Sequence, residues 1–196
     1  MQHCGIVLLA AGKSARMGQA KQLLQYKGKS LVRLSVQAAL QAGAGPVVLV
    51  TGANAAAVGQ EAWDAQLRVV QNTGWGEGIA SSIRCGLGTL LNTDPTITHA
   101  IFMVCDQPFV TPQLLKQLVV AREDTGTPII ACAYAGTVGT PVLFSAEFFP
   151  QLMLLQGDEG AKKLLRQYSA KVGTVPFEQG AFDIDTPDDY TRLRNL

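Results

Sequence analysis

The stretch IVLLAAGKSARMGQAK, running from Ile6 to Lys21, decides the fold. Its first five residues, Ile6 to Ala10, are apolar without alternation, which reads as a strand buried on both faces. The chain then turns small and basic. Ala10, Ala11 and Gly12 let backbone N–H groups come close to anionic oxygens. Arg16 and Lys21 add fixed positive charge, and Gly18 permits a sharp turn between them. Any one of these residues also suits an ordinary turn; strand, small residues and two cations in that order describe a phosphate cradle. Gly12-Lys13-Ser14 looks like the end of a Walker A loop, but that motif needs a glycine where Val7 stands. The dinucleotide pattern G-x-G-x-x-G is also missing after the strand.

Outward from this stretch, short apolar runs alternate with longer amphipathic ones. Strands are expected at 46–51, 67–71, 100–105, 128–133 and 171–177, with one more at 140–144. A helix is expected over 30–42, with Ser30 as N-cap, Leu31, Leu34 and Ala38 on one face, and Gly43 and Gly45 at its end. Further helices fit 53–65, 79–91, 146–155, 159–168 and 187–196, the last capped by Thr186. Thr111 caps another that starts at Pro112, the favoured first position. This order predicts a single Rossmann-like α/β domain over 1–196, with three α/β/α layers and a mostly parallel sheet. The chain after Gly136 is less regular and is expected to form a substrate-facing flap. In open α/β sheets ligands bind at the carboxyl ends of the strands, which directs attention to the loops at Ala10, Thr51, Gln71 and Asp106.

Composition narrows the partners. Of 196 residues, 47% are hydrophobic and 16% charged, enough apolar surface for a core and too little charge for a disordered chain. The net charge of +1 has no basic stripe behind it, so no nucleic-acid partner is expected. No run reaches the roughly eighteen apolar residues that span a bilayer, and the N-terminus lacks signal-peptide features. A cytoplasmic protein without a membrane partner is therefore expected. Cys4, Cys85, Cys105 and Cys132, with His3 and His99, sit at no metal-ligand spacing. Cys105 and Cys132 read as small hydrophobes within strands.

Two acidic segments stand out. Asp106 closes the strand at 100–105 on the ligand side, a good place for Mg²⁺, although an Asp starting a turn before proline has the same look. Asp183 and Asp185 flank Ile184 and point the same way on an extended segment. Asp188 and Asp189 suit the first turn of the last helix. Glycines between Asn72 and Ser82 allow backbone to approach a flat ligand, Trp75 has the shape either to stack or to pack, and Gly86-Leu87 fits helix packing.

The string L-A-A-G-x-S-x-R-M-G-x-x-K, Leu9 to Lys21, resembles the signature of the NTP-transferase superfamily, which includes sugar-phosphate, methylerythritol-phosphate and molybdenum-cofactor nucleotidyltransferases. The resemblance implies nucleotide binding by Leu9, Ala10, Ala11, Gly12, Arg16, Lys21, Thr51, Gly52, Asn72, Gly78 and Ser82. It implies catalytic roles for Arg16 and Lys21, and Mg²⁺ on Asp106 and Asp185. Asp185 is preferred over Asp183 because it directly precedes Thr186-Pro187. The segments 139–145 and 157–165 resemble the molybdenum cofactor cytidylyltransferase branch, departing from it at Thr140, where that branch often has His or Asn. Ala11-Gly12 matches the cytidylyl pattern, whereas the guanylyl branch tends to Gly-Gly. The implied reaction moves CMP from CTP onto the phosphate of a molybdopterin-type acceptor, with a molybdoenzyme as candidate recipient of the product. Transfer to a sugar or polyol phosphate, and a non-catalytic nucleotide- or cofactor-binding protein, are the alternatives. Gly157 to Gly160 suits either an acceptor phosphate held by amides or a helix-start turn.

Overall fold

Every residue of the first strand is buried, so side chains on both its faces need a helical layer to cover them. The computed structural model, which describes residues 3–196, supplies two. The chain runs β1 (Cys4–Ala10), the ribbon β2 (Gln25–Tyr26) and β3 (Lys29–Ser30), α1 (Leu31–Ala42), β4 (Val47–Thr51), α2 (Ala55–Ala62), β5 (Leu67–Gln71), α3 (Ile79–Thr93) and β6 (His99–Val104). It continues α4 (Pro112–Thr125), β7 (Ile129–Tyr134), β8 (Thr137–Ser145), α5 (Phe149–Met153), α6 (Ala161–Gln167), β9 (Val172–Pro176) and α7 (Pro187–Arg194). Seven strands form one sheet in the order β5-β4-β1-β6-β8-β7-β9. The β5-β4-β1-β6 half is parallel throughout, and β8 alone runs antiparallel to its neighbours β6 and β7.

Alternation along β1 sorts the core into two clusters. Ile6, Leu8 and Ala10 face Val32 and Val36 of α1, Val58 of α2 and Leu115 of α4. Val7 and Leu9 face Ile83, Leu87 and Leu90 of α3, with Leu152 of α5 and Leu164 of α6 in the same layer. The result is the Rossmann-like α/β/α sandwich expected from the sequence. Gly86 serves packing, as read: a Cβ there would lie 2.3 Å from Cγ1 of Val7, so α3 comes down tightly onto β1. Ser30 caps α1 by accepting from the Arg33 amide at 3.2 Å, and Thr111 caps α4 by accepting from Leu114 at 3.2 Å. Cys105 and Cys132 are buried thiols, and burial pushes both up to about 12.

Three expectations are corrected. Residues 137–145 are no flap: they form a nine-residue strand inside the sheet, with Val142, Leu143 and Phe144 wholly buried. The strand expected at 140–144 is its later part, and the ladder is interrupted at Thr140 and Pro141, where the β7–β8 register jumps from Val142 to Gly139. Residues 146–155 are not one helix but a 3-10 turn over Ala146–Phe148 followed by the five-residue α5, because Pro150 lacks the N–H that a continuous helix would need. The helix expected at 53–65 is the shorter Ala55–Ala62.

Candidate active site

The loop after β1 is shaped by a side chain that the sequence did not single out. Gln22 is 1% exposed, and its Nε2 donates to the carbonyls of Ala10 at 3.0 Å and Gly12 at 2.8 Å. In a trans peptide the N–H points opposite the carbonyl, so the Ala11 and Lys13 amides turn away from Gln22. Ser14 completes the brace. Its hydroxyl donates to Gln22 Oε1 at 3.3 Å and accepts from the Lys21 amide at 3.1 Å. Backbone amides, small residues and Lys21 thus converge at the carboxyl end of β1.

Lys21 Nζ lies 2.5 Å from Oδ2 of Asp106 and 2.8 Å from Oδ1 of Asp185. Arg16 Nη2 reaches the other oxygen of Asp185 at 2.9 Å. Burial disfavours the Lys21 charge, yet the Asp106 and Asp185 carboxylates outweigh it and hold the amine above the ordinary lysine range. Asp185 also feels burial, but the Lys21 hydrogen bond and the Lys21 and Arg16 charges leave it below the usual carboxylate range. Asp183 moves the opposite way, raised by burial and by the facing Asp106 and Asp185 charges.

Two anchors bring the acidic segments together. The Ile184 amide donates to the Asp106 carbonyl at 2.9 Å, and the Ile184 side chain is fully buried with Met17, Leu24, Leu31 and Leu193. Met17 belongs to the cradle loop, so one small core pins both the cradle and the Asp185 segment. Behind Asp185, Thr186 and Asp189 form a capping box at the start of α7.

The cleft holds about 360 Å³ and is lined by Leu9, Ala10, Ala11, Gly12, Lys21 and Asp106 from the expected set, with Gly78 and Ser82 opposite. Lys13, Trp75, Ile79 and Asp158 line it as well. Three expected residues stand behind the lining. Thr51 is buried, its hydroxyl donating to the Val70 carbonyl at 3.2 Å. Gly52 lies against Ala11, where a Cβ would come within 2.5 Å of the Ala11 carbonyl oxygen. Asn72 Nδ2 donates to the hydroxyls of Ser81 at 2.8 Å and Ser82 at 3.0 Å, and so arranges the start of α3. Arg16 and Asp185 sit beside the cleft, joined to it through Lys21.

Among the described residues no group of three or more His, Cys, Asp or Glu is arranged to hold a metal. The donor set instead offers two carboxylates converging on one cation, here the Lys21 ammonium. Hard oxygens in that number suit Mg²⁺, which typically takes one or two carboxylates and draws its other ligands from water and phosphate.

A mostly parallel sheet with a loop of small residues, a lysine and paired carboxylates at its carboxyl edge has the layout of a nucleotide-handling α/β enzyme. Residues 6–172 match the family model of the MobA-like NTP transferase domain. The chain belongs to that family and is a nucleotidyltransferase. It is 29% identical to the purine catabolism protein PucB of Bacillus subtilis over 96% of this chain and 94% of that protein. It is 32% identical to the nicotine blue oxidoreductase of Paenarthrobacter nicotinovorans over 95% of this chain and 94% of that protein. Similarity to the molybdenum cofactor cytidylyltransferase of Escherichia coli is 24% identity over 97% of this chain and 95% of that one. Among solved structures, Rv0371c from Mycobacterium tuberculosis superposes with a TM-score of 0.84 and 34% identity, covering 99% of this chain and 98% of that one. A manganese complex of Rv0371c matches with a TM-score of 0.80 and 31% identity over 99% and 98% of the two chains.

Proposed function

We propose that the protein transfers CMP from CTP to the terminal phosphate of a molybdopterin-type acceptor, with a divalent cation, Mg²⁺ in the first instance, held by Asp106 and Asp185. The observation that carries this reading is the bridge of Lys21 Nζ between those carboxylates at 2.5 and 2.8 Å, at the mouth of the anion cradle. Likeness to the E. coli molybdenum cofactor cytidylyltransferase and the Ala11-Gly12 pair in the cradle support the choice of CTP and acceptor. The manganese complex of Rv0371c supports a divalent cation. CTP and a molybdopterin-type acceptor also suit a cytoplasmic enzyme.

The chemistry needs no protein nucleophile. An oxygen of the acceptor phosphate attacks the α-phosphorus of CTP; the new P–O bond forms as the bond to the bridging α–β oxygen breaks, and pyrophosphate leaves. Catalysis then rests on position and charge. The cradle amides and Arg16 bind the departing β- and γ-phosphates. Lys21 neutralises charge on the transferred phosphoryl group. A bound Mg²⁺ would supply further charge neutralisation for the phosphate oxygens. Leu9, Ala10, Ala11, Gly12, Gly78 and Ser82 bound the nucleotide, with Thr51, Gly52 and Asn72 setting the loops from behind.

The test is incubation with Mg²⁺ and freshly released molybdenum cofactor, with CTP, GTP, ATP and UTP supplied separately, following pyrophosphate and the joined product. Product with CTP alone is expected. Product with GTP alone would keep the reaction class and overturn the base assignment. Activity only on sugar or polyol phosphates would replace the acceptor.

A further inference from the structure

The segment 155–158 is fastened to the start of α3 and the turn before it by three hydrogen bonds. The Gly157 carbonyl accepts from the Ala80 amide at 3.1 Å, and the Gly157 amide donates to Glu77 Oε1 at 3.3 Å. Glu77 Oε2 accepts from Arg84 Nη2 at 2.6 Å, while Arg84 Nη1 donates to the Leu155 carbonyl at 2.5 Å. The Gly157 and Glu159 amides are therefore spent within the protein, the latter on the Gln156 carbonyl at 3.1 Å, which argues against a phosphate nest at this turn. The fastening achieves something else: it sets Asp158 in the wall of the nucleotide cleft.

Gly78 makes the fit possible. Its φ of +124° is open to glycine alone, and a Cβ there would lie 2.3 Å from the Gly157 carbonyl oxygen and 2.6 Å from Asp158 Oδ1. Asp158 has no hydrogen-bond or ion-pair partner among the described residues, although Lys13 and Lys21 line the same cleft. A carboxylate only accepts hydrogen bonds, and so do the phosphates of an NTP. Hydrogen-bond donors on an NTP lie on the nucleoside, as base amino groups and ribose hydroxyls. Asp158 Oδ1 lies beside Gly78 at the start of α3, and Trp75, Gly76, Ile79 and Ser82, which offer flat or small surfaces, line the same cleft.

We infer that Asp158 reads the nucleobase, accepting a hydrogen bond from the exocyclic amino group of cytosine, with Glu77 and Arg84 as positioning residues. This rests on the CTP reading above and adds the residue that selects the base. At the same ring position uracil presents a carbonyl oxygen, whose lone pairs would face those of the carboxylate. A site that hydrogen-bonds a substrate donor rejects the analogue that lacks it.

The test compares kcat/KM for CTP, UTP and 2′-deoxyCTP in the wild type and in Asp158→Asn, an isosteric change that keeps the turn. Calorimetric titration with CTP alone accompanies it. The CTP-to-UTP preference is expected to fall about 10- to 100-fold in Asp158→Asn, with the acceptor KM unmoved. Arg84→Gln is expected to lower the same preference, chiefly through the KM for CTP. An unchanged CTP-to-UTP ratio in Asp158→Asn overturns the inference. So does a loss confined to the CTP-to-deoxyCTP ratio, which would move the contact to ribose, or to the acceptor KM, which would move it to the acceptor. A wild-type protein that binds and consumes CTP while Asp158→Asn discriminates as before sinks this inference alone. A wild-type protein that neither binds nor consumes any NTP sinks both readings.

Discussion

The amide of Ile184 donates to the backbone carbonyl of Asp106 at 2.9 Å, tying the last acidic segment to the end of the central strand. The Ile184 side chain is the buried peg that keeps this strap in place, packed among Met17, Leu24, Leu31 and Leu193. Ile184→Ala is expected to cost about 2–5 kcal/mol of stability through the cavity it leaves. It should also loosen Asp185 against Lys21, so turnover should fall more than in Ile184→Val, which keeps most of the peg and should cost about 1 kcal/mol. Urea denaturation and steady-state turnover on both variants check this. Equal losses in the two would refute the peg.

Lys21 is the cation on which Asp106 and Asp185 converge. Lys21→Met keeps the aliphatic stem and removes the charge. Turnover is expected to fall by a factor of about 100 or more, in the range seen when a preorganised charge donor at a reacting centre is removed. The fold should persist at a cost of about 1–3 kcal/mol, since the carboxylates lose a charged partner but keep access to water. Asp106 then lacks its cation and Asp185 keeps only the exposed Arg16, so Mg²⁺ should raise the Tm of the variant more than that of the wild type. Equal Mg²⁺ shifts, or unchanged turnover, would remove Lys21 from this role.

The start of α7 should show itself in acid. The Asp189 carboxylate accepts from the Thr186 hydroxyl at 2.7 Å, the Thr186 amide at 2.8 Å and the Asp185 amide at 3.2 Å. The Thr186 hydroxyl contributes most, and together with the Arg192 guanidinium these bonds hold the carboxyl at about 2. That lies below the value of about 3.9 for a free Asp. A carboxyl depressed in the fold adds stability that is present above the unfolded value and lost as pH falls through the folded one. Asp189→Asn should therefore lower Tm at neutral pH and flatten its decline between about pH 4 and about pH 2. Thermal melts across that window decide it, and parallel wild-type and variant curves would refute it.

The legible parts of this protein were those with local causes. β1, β4 and β6 are apolar runs, α1 and α4 carry their own caps, and each was readable within a dozen residues. Of β8 only 140–144 was legible; its full length and its place inside the sheet were not, because its burial depends on partners on both sides and because Thr140 and Pro141 break its pattern where the ladder bulges. In the site, Arg16, Lys21 and Asp106 were visible from residue type beside a strand end. The resemblance points to Asp185, directly before Thr186-Pro187, and it is the acid of that segment that meets Lys21 and Arg16. Gln22 gave no signal, since its work is to hold carbonyls of Ala10 and Gly12 that come near it only once the loop has closed. Asp158 was equally silent: it reaches the cleft through Glu77 and Arg84, about 75 to 80 residues away in the chain.

Gly52 offers a way to disturb the cradle without touching any group that bears charge. It follows β4, and the Ala53 amide donates to the Ala11 carbonyl at 3.2 Å, so the turn after β4 lies directly on the cradle loop. A Cβ on Gly52 would come 2.5 Å from the Ala11 carbonyl oxygen and 2.7 Å from the Ala11 Cβ. Neither is the free end of a flexible side chain, so the loop itself must shift. Gly52→Ala should therefore push Ala11 and Gly12 out of position while Lys21, Asp106 and Asp185 keep their mutual contacts. The expected signature is a rise in the KM for NTP of about tenfold or more, a smaller change in kcat, and a stability loss of about 1–3 kcal/mol from overpacking. Steady-state kinetics with the NTP varied, beside a denaturation curve, separate these effects. A fall in kcat at unchanged KM would place Gly52 with the reacting groups rather than with the cradle.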